Sequence, residues 1–163
     1  LMAVTIPAEG HARLRGVDPS PVQRVLIVAN QTANSPALIA ELRYRAGRSP
    51  VTFHLVVPAL NSRLRHWLSD TDDAVLAARR RGEDALAALR SHGLSISVEI
   101  GDSVPLLAID DALSQFHADE IVISTLPPNR SHWLEHQLVD LARRRFDVPV
   151  RHVVAGEDVV LAA

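Results

Sequence analysis

Apolar residues fall along this chain in two alternating rhythms. Short runs rich in Val, Ile and Leu occur at Arg24–Ala29 (RVLIVA), Val51–Val57, Leu94–Ile100, Glu120–Thr125 (EIVIST) and Val148–Val154. Such β-branched runs predict strands, and the continuous ones suit strands buried on both faces of a parallel sheet. Between them the apolar spacing becomes helical. Ser35-Pro36 opens the first helix, PALIAELRYRA, with the Ser side chain placed to cap free N–H groups and Pro in the first turn. Gly47 follows it and suits a left-handed cap. Asp70, Asp72 and Asp73 put carboxylates at the positive end of a second helix. This helix extends to Ser91, is stopped by Gly93, and carries Ala78, Gly82 and Ala85 on one face for close packing.

The third helix is capped by Asp102 or Ser103, the cap being the favoured reading of Asp102, and has Pro105 in its first turn. Its buried stripe is Leu106, Ile109, Leu113 and Phe116. The fourth runs from Ser131 to Arg145 with Leu134, Leu138 and Leu141 inward. Strand and helix alternate five times, which predicts a parallel, doubly wound α/β sheet with helices on both faces. Periodicity alone does not distinguish one doubly wound strand order from another. Residues 23–163 form one domain on this reading, with VVLAA at its end as a further short strand. Residues 1–22, with three prolines and no apolar periodicity, form an extended arm, partly tag or linker in origin.

Composition narrows the chemistry. The chain of 163 residues is 47% hydrophobic and only 4% aromatic, so its core is aliphatic. With no Cys, disulfides, thiol nucleophiles and Cys-ligated zinc are excluded. All 17 basic residues are Arg, which excludes a Schiff-base or P-loop lysine. A net charge of −2 gives no general attraction for nucleic acid. No run is long enough to span a membrane and no signal segment opens the chain, so the expected compartment is the cytoplasm.

The stretch Val98–Asn129 carries a resemblance. An apolar strand, Gly101-Asp102, a helix, Ala118-Asp119 and the strand Ile121-Val122-Ile123 together resemble the universal stress protein domain, over roughly residues 23–155. That resemblance implies strand order 3-2-1-4-5, a Rossmann-like sheet of the adenine nucleotide alpha hydrolase type, and a homodimer through the fifth-strand edge. It also implies a crevice between strands one and four, where an open α/β sheet holds its ligand.

In ATP-binding members an Asp ends the first strand; here the matching residue is Asn30, beside Gln31 and Thr32. Val57 (or Val56) takes the place of the Val that meets adenine, and Ser124 and Thr125 end the fourth strand. The family's phosphate grip is Gly-x-x-Gly followed, after a spacer, by Gly and Ser or Thr. Ser124, Pro127, Gln137 and Leu138 stand at those places, and no glycine lies between Asp102 and Ala155. A phosphate nest needs close backbone N–H groups, and Pro127 and Pro128 have none. Arg130 and Ser131, with Asn129, start the fourth helix and supply a substitute anion site; the plainer reading is a cap and a solvated Arg.

Three functions follow as expectations. The first is a universal stress protein-like, non-catalytic regulatory module that does not bind ATP in the usual way and needs no cofactor. The second is a nucleotide-binding protein or nucleotide phosphate hydrolase, taking ATP or AMP at a modified anion site. The third is a dimerisation scaffold with a plugged crevice.

Other motifs have bland readings. His132-Trp133-Leu134-Glu135-His136 matches the zinc signature H-x-x-E-H, but no strong third ligand stands out, and the histidines read as surface or interface residues. The loop Ala59–Ser69 holds Asn61, Arg63, Arg65, His66 and Trp67 and is long enough to suggest a functional role. His-Trp-Leu recurs at 66–68 and 132–134, where each Trp seals the sheet's open end or a dimer contact. The Arg triplets at 79–81 and 143–145 read as solvated helix faces.

Overall fold

A computed structural model describes residues 21–60, 71–128, 130 and 133–156. The arm (residues 1–20), Asn61 to Asp70, Asn129, Ser131, His132 and the terminal VVLAA lie outside the described residues, as do the side chains of Trp133 to His136. The elements follow in the order β1 (Gln23–Val28), α1 (Pro36–Ala46), β2 (Val51–Pro58), α2 (Thr71–Ser91), β3 (Ile96–Gly101), α3 (Pro105–Gln115), β4 (Glu120–Thr125), α4 (Trp133–Arg145) and β5 (Val150–Val154). The five strands form one parallel sheet in the order β3-β2-β1-β4-β5. Both the parallel sheet and the 3-2-1-4-5 order agree with the expectation.

Alternation along the central strands divides the core in two. Val25 and Ile27 of β1 with Phe53, Leu55 and Val57 of β2 pack under Leu38 and Leu42 of α1 and Ala78, Ala85 and Leu89 of α2. Leu26, Val28, Val56, Ile121 and Ile123 face the other way, onto Ala108, Ile109 and Ala112 of α3 and Val139 and Ala142 of α4. Helices one and two thus cover one face and helices three and four the other, as right-handed crossovers require. Ala78, Gly82 and Ala85 do let α2 lie close: a Cβ on Gly82 would sit 3.0 Å from Val98 Cγ1 and 3.4 Å from Ile100 Cδ1.

Several local expectations need correcting. Ser35 does cap α1, accepting from the Leu38 N–H at 3.3 Å, but Gly47 is right-handed (φ −76°). The backbone makes one further right-handed turn there, with Arg48 and Ser49 N–H both donating to Arg45 O, so no left-handed residue is needed. The left-handed glycine is Gly93 (φ 75°), which closes α2 with Leu94 N–H donating back to Leu89 O. At α3 the cap position is Val104, without a side-chain bond. Asp102 lies outside the helix, and its carboxylate accepts the Val104 N–H at 2.7 Å. In α4, Leu141 is exposed, and Val139 and Ala142 turn inward with Leu138 half-buried. The buried stripe thus lies one position round from the leucines.

The N-terminal edge of the sheet is tied by charge. Arg45 of α1 donates to both carboxylate oxygens of Glu120 on β4, at 2.6 and 2.8 Å, and to Glu41 at 2.8 Å. Arg151 of β5 reaches Glu41 at 2.9 Å, and Gln23 of β1 adds a bond to Glu120 at 3.3 Å. The hydrogen bonds from Arg45 are the chief cause holding the Glu120 carboxyl below its ordinary value, against the opposing effect of burial. The Arg45 guanidinium is raised in turn, chiefly by Glu120. Among the described residues no helix is long and apolar enough to cross a membrane.

Candidate functional site

At the C-terminal edge, β1 and β4 are neighbours whose onward connections diverge, β1 to α1 on one face and β4 to α4 on the other. A crevice at such a reversal is where open α/β sheets bind ligands. Ala29 extends β1, its N–H donating to Val56 O at 3.2 Å. Next comes Asn30, whose side chain is engaged at both ends. Its Nδ2 donates to Pro58 O at 2.5 Å, and its Oδ1 accepts from Arg81 Nη1 at 2.7 Å. Asn30 thereby joins the ends of β1 and β2 to the middle of α2.

Arg81 corrects the reading of the 79–81 triplet as a solvated face. Arg79 and Arg80 are exposed, but Arg81 is half-buried and turned to Asn30 at the end of β1. Its neighbour Gly82, on the face packed against the sheet, is the sequence signal that could have marked it. The 143–145 triplet is solvated as expected: Arg143 lies 3.8 Å from Asp140 and Arg145 2.9 Å from Asp110, all four exposed.

A tight turn follows Asn30, with Ala33 N–H bonded to Asn30 O and Ser35 N–H to Thr32 O. Gln31 is exposed on this turn, whereas Thr32 is buried and donates through Oγ1 to Ser124 O at 3.0 Å. Thr32 therefore clasps the ends of the two seam strands. The Ser124 residue is only 7% exposed, and its hydroxyl has no hydrogen-bond partner among the described residues. An unsatisfied buried hydroxyl costs stability, so it needs an explanation beyond packing. The Thr125 hydroxyl is shared between Leu126 O at 3.1 Å and His152 Nε2 at 2.8 Å on β5.

Val57 and Val56 are both fully buried, on opposite faces, so a ligand at the edge would meet their backbone and not their side chains. After β4 the chain passes Leu126, Pro127 and Pro128, and the Arg130 N–H donates to Pro127 O at 2.9 Å. Arg130 is exposed, and Ser131 lies outside the described residues. The structure thus brings Asn30, Thr32, Ser124 and Thr125 to one edge and leaves Gln31 and Arg130 on the surface around it. No cluster of metal-ligating side chains is present among the described residues, and the H-x-x-E-H motif lies outside them.

No protein-family model matches the chain, and no curated protein matches it in sequence. Solved structures do. A universal stress protein family member from Burkholderia pseudomallei superposes with a TM-score of 0.56 at 17% identity, over 80% of this chain and 94% of its own. The universal stress protein from Archaeoglobus fulgidus in complex with dAMP gives 0.55 at 18% identity, over 82% and 98% of the two chains. A universal stress protein family protein from Arabidopsis thaliana with AMP bound gives 0.55 at 14% identity, over 83% and 94%. At such identities the likeness is one of architecture, a five-stranded parallel sheet with helices on both faces. In fold, this chain is a universal stress protein-like α/β domain.

Proposed function

We propose that this chain is a universal stress protein-like stress-response and regulatory module whose crevice carries out no chemistry and does not grip a triphosphate. One observation carries the reading. Asn30, at the place of the family's nucleoside-binding Asp, has both ends of its amide committed to Pro58 O and Arg81. The loop beyond β4 supports it, since Pro127 and Pro128 offer no N–H to a phosphate. Pairing of two copies along the outer edge of β5 belongs to the same reading; β5 is the last of the described strands in the sheet and Val154 on it is 43% exposed.

A second reading, nucleotide binding or nucleotide phosphate hydrolysis at a modified anion site, is favoured by the Ser124 hydroxyl, which has no partner among the described residues. The dAMP and AMP bound in two structural neighbours support an adenine monophosphate as the ligand of this second reading. Calorimetric titration with ATP, ADP and AMP, with and without magnesium, separates the two. The module reading expects no ATP binding up to about millimolar concentration. Micromolar binding of ATP that weakens in Arg130→Ala would overturn it and establish a new anion grip.

A further inference from the structure

Away from the crevice, on the sheet face toward α3, His54 of β2 stands directly opposite Ser97 of β3, with Glu99 two residues further along the same strand. Strand alternation puts all three on one face. Ser97 Oγ lies 2.6 Å from His54 Nδ1, and Glu99 Oε2 lies 3.2 Å from His54 Nε2. A carboxylate only accepts hydrogen bonds, so it holds a proton on Nε2. That leaves the Nδ1 lone pair to accept from the Ser97 hydroxyl. Nucleophile, base and orienting acid stand in sequence, with the two ring nitrogens exchanged relative to the familiar serine triad. The Phe116 ring stacks on the imidazole, centroids 5.2 Å apart and planes 27° apart, and restrains its tilt. Ser97 is exposed, while the His54 side chain is only 15% exposed, so the attacking oxygen meets solvent and the base is sheltered.

We propose that Ser97, His54 and Glu99 form a hydrolytic site that cleaves short-chain carboxylic esters by acyl transfer to Ser97. This goes beyond the module reading and does not depend on the crevice. Ser97 Oγ attacks the ester carbonyl carbon as its proton passes to His54 Nδ1. The bond to the alcohol oxygen breaks, and the imidazolium returns that proton to the leaving alkoxide. Water, deprotonated by Nδ1, then attacks the acyl carbon and releases the carboxylic acid and the free Ser97 hydroxyl. Glu99 is a positioning residue that fixes the tautomer and offsets the imidazolium charge. The oxyanion would face the outer side of β3, which among the described strands has only β2 beside it and so turns alternate backbone N–H groups outward. Three neighbouring positions, Thr52, Ser95 and Ser97, are exposed. Such an open, polar setting suits small acyl groups and gives little selection on the leaving alcohol.

The test is hydrolysis of p-nitrophenyl acetate by the full chain, with peptide mass spectrometry of acid-quenched protein. One acetyl group is expected on the Ser97 peptide. Ser97→Ala and His54→Ala are each expected to lower kcat/KM by at least about tenfold. His92→Ala, an exposed histidine elsewhere, should leave it unchanged. Glu99→Gln should lower kcat with KM unaltered, and Glu99→Asp should recover part of the loss, a split that mere loss of packing does not produce. Equal turnover in Ser97→Ala and the parent, or acetyl absent from the Ser97 peptide, overturns the proposal. Because Ser97 is exposed, its Ala variant is expected to fold even where His54→Ala does not.

Discussion

At the lower end of the seam between β1 and β4, Arg45, Glu120, Glu41, Arg151 and Gln23 answer one another with short, well-directed bonds. At the upper end the polar groups are as numerous but less settled. Asn30 is spanned by Arg81 and Pro58, Thr32 clasps Ser124 by its backbone, and the Ser124 hydroxyl has no partner among the described residues. A satisfied network adds rigidity, and an unsatisfied one marks a place kept for something other than stability. The same two strands therefore have a fully bonded end and an end with a spare buried hydroxyl.

The largest expected effect of breaking that contrast lies at the lower end. Glu120→Ala removes two of the three bonds made by a half-sheltered guanidinium, leaving the one to Glu41, and is expected to cost about 2 kcal/mol in denaturant unfolding, less than a deeply buried pair because water reaches both partners. The parent should also weaken in acid. Glu120 titrates lower when folded, so its contribution is complete above the unfolded glutamate value and is lost as pH falls through the folded one. Glu120→Gln should flatten that part of the acid limb, and an unchanged limb would show that Arg45 does not hold the carboxylate.

At the upper end the expected effects are smaller. Arg81→Ala removes one charge-assisted bond and should cost about 1 kcal/mol, while freeing the Asn30 carbonyl for a ligand. Calorimetry with AMP should then detect tighter binding than in the parent; equal affinity would mean that Arg81 does not occlude the crevice. Smallest of all is Ser124→Ala, which loses no hydrogen bond seen in the structure and removes a buried hydroxyl. Its stability should equal the parent's or exceed it by up to about 1 kcal/mol. A clear destabilisation would mean that a water or another group satisfies the hydroxyl, and the contrast between the two ends would shrink.

Legibility in the sequence followed the range of the interaction. The strands were readable because burial on both faces leaves continuous apolar runs, and the Ser35 cap because its partner is three residues away. The strand order came through the family likeness of Val98–Asn129, since hydropathy does not encode which strand lies beside which. Arg81 and Asn30 are 51 residues apart, and Arg45 and Glu120 are 75 apart. Neither pair carries a local signature, and Arg81 was hidden among three consecutive arginines of which only one turns inward. Ser97, Glu99 and His54 illustrate the same limit: alternation puts Ser97 and Glu99 on one face, but the register that seats His54 between them is a tertiary fact. Where local rules misled, at Gly47 and along α4, a competing tertiary geometry set the outcome.

The sheet's connectivity also bears on how the chain assembles. β1, β2 and β3 associate in sequence, and so do β4 and β5, but among the described strands the two groups pair through the ladder of Val25–Val28 with Glu120–Ile123. Closing that ladder brings together residues almost a hundred positions apart, so the entropy of a long loop must be surmounted before its bonds are gained. The seam that holds the crevice is thus set to be the slow joint in folding. Amide protons along it should become protected later than those of β2 and β3 in pulsed hydrogen exchange, so that each newly made chain completes its crevice last.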